Sequence, residues 1–190
     1  MAINDEALDT IFRAARTHRV WLDKPVSPAL LMAVYDVMRW GPTSGNTCPA
    51  RIVFVVSQDA KKRLKPHLDP GNVAKVMTAP ATAIIGYDLD FARQMSKLNP
   101  RAGGFDDPAA NEVTAFRNGS LQGAYFIIAA RSLGLDCGPM SGFDNGAVDQ
   151  EFFAGTAVKS NFLCNIGYGD PSRLHPRAPR LSFDEACQIV

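Results

Sequence analysis

The amino-acid sequence predicts an α+β fold or a three-layer sheet, with three or four strands. The first forty residues carry helical patterns, and short β-rich runs then alternate with further helical patterns. The longest helical pattern, residues 111–133, is apolar over much of its circumference, as in a helix buried within a monomer or at a subunit interface. No internal repeat and no linker divides the chain, so we expect a single domain over residues 1–190.

Hydrophobic spacing and capping residues predict the bounds of each element. Helices are predicted over residues 4–15, from Ser27 to the loop at Trp40, from 57 to about 66, from Asn72 to about 78, over 111–133, and from Asp144 to about 153. Strands are predicted over 51–56, 81–87 and 162–168. The remaining segments are expected to be a short helix and mobile loop over 88–104, a loop of small residues over 137–144, and an extended tail over 171–180.

Composition excludes several classes of function. Hydrophobic residues make up 46% and charged residues 21% of the 190 residues, which is typical of a folded domain. A formal net charge of +1 favours neither nucleic acid nor an anionic membrane as the main partner. We find no bilayer-spanning apolar run and an acidic N-terminus, and we therefore expect a cytoplasmic protein. The four scattered cysteines suit neither a zinc site nor a disulfide framework.

A polar loop, Trp40 to Pro49, separates the second predicted helix from the first predicted strand. It is rich in Gly, Pro, Ser, Thr and Asn, which expose backbone groups and short polar side chains. Such a loop can hydrogen-bond a polar ligand closely because no bulky side chain intervenes. The composition is equally compatible with an ordinary helix-to-strand connection.

A basic cluster, Arg16-Thr17-His18-Arg19, follows the first predicted helix. Two guanidinium groups, an imidazole and a hydroxyl within four residues can bind a phosphate dianion through charge-assisted hydrogen bonds. The alternative is a solvated helix C-terminus, where cations interact favourably with the helix dipole. Local sequence does not decide between these interpretations.

Taken in order, these stretches resemble the nitroreductase family of FMN flavoproteins over nearly the whole chain. The resemblance rests on the basic cluster, on Pro42-Thr43-Ser44 and Asn46 in the polar loop, on Asn72, on Pro139-Met140-Ser141-Gly142-Phe143, and on Arg180 in Pro179-Arg180-Leu181. It implies a three-layer α/β/α sandwich with a mostly antiparallel central sheet, a long buried helix, and FMN at the interface of a homodimer.

The resemblance also implies which residues bind FMN. Arg16, Thr17, His18 and Arg180 would hold the phosphate end, and the polar loop would run beside the flavin. Asn72 would meet the polar edge of the ring, and the backbone near Gly142 would lie beside flavin N5. The full expected set is Arg16, Thr17, His18, Pro42, Thr43, Ser44, Asn46, Asn72, Met140, Ser141, Gly142 and Arg180.

By resemblance, NADH or NADPH reduces the flavin, and a small-molecule acceptor then takes the hydride in a ping-pong cycle, so no protein nucleophile is needed. The closer likeness is to a subgroup that reduces malonic semialdehyde to 3-hydroxypropionate in pyrimidine utilisation. That likeness is carried by Trp40-Gly41-Pro42-Thr43-Ser44, Gly138 to Asp144 and Asn165 to Asp170, among other segments. The substrate carboxylate would need a cation, for which the candidates are Arg51, Arg101 and Arg117.

Three alternatives to this function stay open. The first is a broad-specificity nitroreductase or quinone reductase with the same FMN residues, and the second is a flavin-binding protein without turnover. The third is a small α+β binding module without flavin. The sequence departs from many family members at Ala50, where they have tryptophan, and at Ser141, where they have an acidic residue. No G-x-G-x-x-G fingerprint is present, so the sequence does not choose between NADH and NADPH.

Overall fold

The computed structural model describes residues 2–190 and contains one four-stranded sheet with helices on both faces. The strands are β1 (Ala50–Val55), β2 (Ala81–Asp88), β3 (Asp136–Met140) and β4 (Val158–Gly167). The helices are α1 (Asp5–Leu8), α2 (Pro28–Met38), α3 (Gln58–Leu64), α4 (Pro70–Thr78), α5 (Met95–Leu98), α6 (Pro108–Ser132), α7 (Asn145–Phe152) and α8 (Phe183–Ala186). Short 3₁₀ turns cover Ser44–Asn46, Lys65–His67, Phe91–Gln94 and Pro171–Arg173.

The sheet has the strand order β1-β2-β4-β3, and every neighbouring pair is antiparallel. The predicted α+β class with an antiparallel sheet is therefore confirmed. In this order β1 and β3 are the two edge strands, separated by three inter-strand spacings, or about 14 Å. Segments that follow or precede these two strands accordingly lie on opposite sides of the molecule.

Two apolar cores lie on the two faces of the sheet and make the fold three-layered. One core joins α2 and α6 to the sheet through residues such as Val34, Phe126 and Ile85. The other joins α3, α4 and α7 to the opposite face through residues such as Leu64, Val76 and Ile84. Strand β2 is buried over its first six residues because helices cover it on both sides, as its unbroken apolar run predicts.

Helix α6 is the longest element, with 25 residues, and its small residues permit close packing on the sheet. A Cβ at Gly119 would lie 2.7 Å from Cβ of Tyr87, and one at Gly123 would lie 2.5 Å from the ring of Phe162. The opposite face of α6 carries an exposed apolar stripe, which we define as Val113, Phe116, Leu121 and Ala124. The predicted burial of this helix therefore holds for one face within the monomer.

The prediction of a loop over residues 137–144 is wrong for its first part, which forms β3. Gly138 and Pro139 weaken the local strand pattern, but both are compatible with an edge strand. Gly138 is required by packing, since a Cβ there would lie 2.4 Å from the backbone oxygen of His18. Long-range contacts thus give this segment a conformation that its composition does not predict.

Other element bounds differ more modestly from the sequence predictions. Strand β4 begins at Val158, four residues earlier than predicted, and α4 begins at Pro70 rather than at Asn72. The first helix ends in a π-helical turn at Arg13. Within residues 2–190, no helix combines the length and apolarity needed to cross a membrane.

Candidate functional site

An arginine-rich cavity of about 530 Å³ lies where the N-terminal segment meets the C-terminal tail. It contains the predicted phosphate ligands Arg16, Thr17 and Arg180. The full lining is Phe12, Arg13, Ala15, Arg16, Thr17, Arg19, Arg131, His175, Pro176, Arg177, Ala178 and Arg180. The structure therefore brings together two groups that are separated by more than 160 residues in the sequence.

The positive charge of this arginine cavity is largely uncompensated. Among the described residues, Arg13 is its one arginine with carboxylate partners, and hydrogen bonds to Asp5 and Asp9 raise the pKa of Arg13. Arg16 instead donates to the backbone oxygen of His175, and Arg180 donates to carbonyl oxygens of its own segment. Guanidinium groups without carboxylates are suited to binding a phosphate dianion.

Arg131 adds a buried donor to the same cavity. Its Nη1 donates to the backbone oxygen of Ile11 at 3.0 Å, whereas its buried Nε has no hydrogen-bond partner among the described residues. His175 and Arg177 also line the cavity, and sequence analysis did not assign them to it. The three arginines in the tail were visible in the sequence, but only the fold shows that the tail returns to the N-terminal segment.

His18 lies beside the arginine cavity but does not line it. Its side chain is buried, and Nε2 lies 3.4 Å from Oδ1 of Asp136. The imidazole packs so closely on Gly169 that a Cβ there would lie 1.9 Å from Nδ1. The structure thus gives His18 an internal carboxylate partner, and its contact with a phosphate stays a prediction.

Strand β3 connects the arginine cavity to the second group of predicted site residues. Thr17 forms a parallel bridge with Cys137, and the strand then runs to Met140, Ser141 and Gly142. There, Nδ2 of Asn72 donates to the backbone oxygen of Gly142 at 2.9 Å. The predicted phosphate ligands and the predicted ring-edge residues therefore share one edge of the sheet.

Lys75 is a candidate residue at this second group that sequence analysis missed. Its Nζ donates to Oδ1 of Asn72 at 2.8 Å. The i,i+3 spacing of these two residues on one helix was visible in the sequence, since such pairs are neighbours on a helix face. This ammonium group places a further positive charge beside Gly142.

The polar loop is held on α6 rather than beside the arginine cavity. The Asn118 side chain accepts from the backbone N–H of Ser44 at 2.7 Å, and the Tyr125 hydroxyl donates to the backbone oxygen of Pro42 at 3.0 Å. Asn46 has φ of +58° and donates through Nδ2 to the backbone oxygen of Leu98 at 2.9 Å. A left-handed non-glycine residue of this kind indicates a loop whose conformation is imposed by its surroundings.

The predicted site residues are therefore divided between the β3 edge, which carries the arginine cavity and Asn72, and the polar loop, which lies apart from that edge in one chain. Ser44 contacts Asn118, whereas the arginine cavity is lined by Arg131, thirteen residues further along the same helix. At 1.5 Å per residue, this separation is about 20 Å. The polar loop also precedes β1, the sheet edge opposite β3.

The three candidates for binding a substrate carboxylate differ in their contacts. Arg51 forms an ion pair with Asp88 at 2.7 Å and donates to the backbone oxygens of Cys48 and Ala50. Arg101 and Arg117 are exposed, and within residues 2–190 neither has an ion pair. Arg51 is therefore the least available of the three.

Comparison with known proteins gives a consistent result. A sequence model described as the nitroreductase family matches residues 12–168. A protein of Stenotrophomonas maltophilia, provisionally named an NADH dehydrogenase/NAD(P)H nitroreductase, is 58% identical over 193 residues, covering 100% of this chain and 98% of the relative. A Burkholderia lata protein with the same provisional description is 56% identical over 191 residues, covering 98% of each chain.

A solved structure from Exiguobacterium sibiricum, described as a provisional nitroreductase in complex with FMN, has a similar fold. Its TM-score is 0.88, with 16% identity, and the match covers 100% of this chain and 99% of that chain. At this identity the likeness shows the fold alone.

Proposed function

The chain belongs to the nitroreductase family and is an FMN-dependent NAD(P)H oxidoreductase, and we propose that it works as a homodimer with a composite FMN site in each half. We further propose malonic semialdehyde as the acceptor, which is reduced to 3-hydroxypropionate. In the overall reaction, the aldehyde, NAD(P)H and a proton yield the alcohol and NAD(P)⁺.

The observation that carries the proposed dimer is the separation of the two groups of site residues. The arginine cavity and Asn72 lie at the β3 edge, and the polar loop lies about 20 Å along α6 from Arg131. A single chain would therefore expose much of a flavin held at the β3 edge. The polar loop of a second copy, related by two-fold symmetry, would cover that flavin and complete both sites at once.

The exposed apolar stripe of α6 supports the same assembly. Val113, Phe116 and Leu121 are 53%, 50% and 41% exposed, although the helix is central to the fold. They recur at helical spacing and form one continuous face with Ala124. An exposed face of this kind on a monomer marks an interaction surface. A second copy of the same helix is the occupant that would also bring the polar loop to the partner.

The residues at the β3 edge fit the chemistry of FMN. Arg16 and Arg180 would hold the phosphate, and Thr17 would donate a further hydrogen bond. The amide of Asn72 and the backbone beside Gly142 would meet the ring edge. Bound FMN supplies the hydride-transfer chemistry between the nicotinamide and the acceptor. The protein residues orient these groups and exclude water around them.

Malonic semialdehyde is proposed because of the closer resemblance to that subgroup and because exposed guanidinium groups are available for its carboxylate. The rival function is broad-specificity reduction of nitro compounds or quinones. It would use the same FMN residues, and the names of the relatives agree with it. The two functions differ only in which acceptor is turned over efficiently.

Steady-state kinetics of the purified FMN-loaded protein separate these functions. We expect kcat/KM for malonic semialdehyde to exceed that for nitroaromatics and quinones. Negligible turnover of the aldehyde beside fast quinone reduction would exclude the proposed substrate. A yellow protein that NADH and NADPH do not bleach under anaerobic conditions would instead indicate flavin binding without turnover.

A further inference from the structure

We propose that Arg101 determines specificity for acceptors that carry a carboxylate, by binding that carboxylate at the mouth of the composite site. This inference rests on the proposed function and extends it to a residue and a chemical class of acceptor. It follows from the free charge of Arg101, from the hydrogen-bonded turn that presents it, and from the contacts of that turn with the polar loop.

The charge of Arg101 is free, whereas that of Arg51 is not. Arg51 is paired with Asp88, and its guanidinium already donates to two backbone oxygens. Recruiting it would require breaking a partly buried ion pair and leaving Asp88 without its cation, which is costly. Arg101 is exposed, and no carboxylate among residues 2–190 lies within ion-pair distance of it.

A hydrogen-bonded turn presents Arg101. The backbone N–H of Ala102 donates to the backbone oxygen of Asn99 at 3.0 Å, which closes a four-residue turn. Pro100 occupies the second position of this turn, where its fixed φ is favourable. This hydrogen bond and the proline restrict the Arg101 backbone, which lowers the entropy cost of recognition.

Apolar contacts anchor this turn from the C-terminal side. Ala102 and Phe105 pack against a small core around Phe91 and Ala115, and the rings of Phe91 and Phe105 meet edge to face at 5.3 Å. Nδ2 of Asn111, on α6, donates to the backbone oxygen of Phe105 at 2.8 Å. Because Ala102 packs inward while Arg101 is exposed, the guanidinium is left on the outer side of the turn.

The same turn is tied directly to the polar loop. Nδ2 of Asn99 donates to the backbone oxygen of Gly45 at 3.0 Å, and Nδ2 of Asn46 donates to the backbone oxygen of Leu98 at 2.9 Å. These two hydrogen bonds join Leu98 and Asn99 to the polar loop, which is the proposed wall of the flavin site. Arg101 follows Asn99 by two residues. The turn that carries Arg101 is therefore fixed to the loop against which an acceptor would lie.

The chemistry of this group selects a carboxylate. A guanidinium binds a carboxylate in a bidentate manner, with two parallel N–H···O bonds, and it has no acceptor for a neutral ligand to donate to. An acceptor that carries both an aldehyde and a carboxylate would be oriented by its carboxylate with the aldehyde toward the flavin. A neutral acceptor could accept only a weaker hydrogen bond from Arg101, without the charge of a carboxylate.

The test compares 4-nitrobenzoate with 4-nitrotoluene, two nitro acceptors of similar shape that differ in the carboxylate. We expect Arg101→Ala to raise KM for 4-nitrobenzoate by about 10- to 100-fold, the range for a lost hydrogen bond to a charged group, with kcat little changed. KM for 4-nitrotoluene should change far less, and Arg101→Lys should lie between Arg101→Ala and the wild type. Arg93→Ala, which removes a 79%-exposed arginine of the same segment that is already paired with Asp90, is the control and should have no effect.

Three results would overturn the inference. They are a wild-type enzyme that does not prefer the carboxylate acceptor, an Arg101→Ala variant that affects both acceptors equally or neither, and a selective loss in Arg117→Ala instead. The FMN absorbance of each variant is measured in parallel. A wild-type protein that does not bind FMN would refute the proposed function. An Arg101→Ala variant that retains FMN but does not distinguish the two acceptors in KM would refute this inference alone.

Discussion

Placing a charge on the apolar stripe of α6 provides the sharpest test of the proposed dimer. We consider Val113→Asp, because Val113 is 53% exposed in the monomer and belongs to the stripe that we propose to be buried between two copies. If the proposal is correct, this change should dissociate the dimer and release FMN. The fold of each chain should persist, because the exposed half of the Val113 side chain is not part of the monomer core.

The size of the effect follows from the burial of this residue. Full burial of a valine side chain contributes about 1.5–3 kcal/mol, so burying the remaining half contributes about 1 kcal/mol per copy. A symmetric interface contains the residue twice, which gives about 2 kcal/mol, or roughly a 30-fold change in the dimer Kd. An uncompensated buried carboxylate adds about 3 kcal/mol or more per copy, so the total reaches about 8 kcal/mol, or roughly a million-fold weakening of the dimer.

Sedimentation velocity across a range of protein concentrations measures the dimer Kd, and the visible absorbance of the flavin measures retained FMN. Val56→Asp is the matched control, because Val56 is also a half-exposed valine, at 42%, and does not belong to the stripe. It should leave both measurements unchanged. Far-ultraviolet circular dichroism establishes that each variant keeps its secondary structure.

The reasoning fails if Val113→Asp remains a dimer with full FMN content. It also fails if the variant becomes a monomer that binds FMN as tightly as the wild type. The first result would place the interface elsewhere, and the second would show that one chain suffices for the site.

Three further predictions concern single residues. Arg180→Ala should weaken FMN binding by about 10- to 100-fold, because it removes a charge-assisted hydrogen bond to the phosphate. Titration calorimetry with the apoprotein measures this affinity, and an unchanged affinity would place the phosphate elsewhere. Gly169→Ala should lower the free energy of unfolding by about 1–3 kcal/mol through collision with the His18 ring, whereas Gly71→Ala, where a Cβ has open space, should be nearly neutral in urea unfolding. Burial lowers the pKa of Lys61 in the folded chain, so between this lowered pKa and the ordinary value the unfolded chain binds more protons than the folded chain. In that pH window the stability of the wild type, relative to Lys61→Met, should therefore rise with pH. A difference in urea midpoint between the two proteins that does not vary with pH would contradict this.

Much of the fold was predictable because local patterns and packing agree. Strand β2 and helix α6 have strong, long apolar patterns, and both are close to their predicted bounds. Strand β3 was missed because Gly138 and Pro139 have low strand propensity, and their place is decided by pairing with β4 and by the close approach of His18. Propensity is a weak predictor wherever such long-range contacts dominate.

The candidate site divides in the same way. The residue types of a phosphate site are visible in the basic cluster and in Arg180, because charge and hydrogen-bonding capacity belong to the side chains themselves. Their convergence was not visible, since it depends on the tail returning to the N-terminal segment. Lys75 and Arg131 became candidates only through their positions beside Asn72 and in the arginine cavity.

The sequence alone predicted the chemistry available to this protein, its antiparallel α+β fold and its polar loop. Which of these groups can meet is a property of the folded chain. Strand order places β1 and β3 on opposite edges, and the length of α6 separates Ser44 from Arg131, so the polar loop and the arginine cavity lie apart within a single copy. Sequence patterns are local and distances between strands are not, and for that reason the separation of the polar loop from the arginine cavity within one chain emerged only from the tertiary structure.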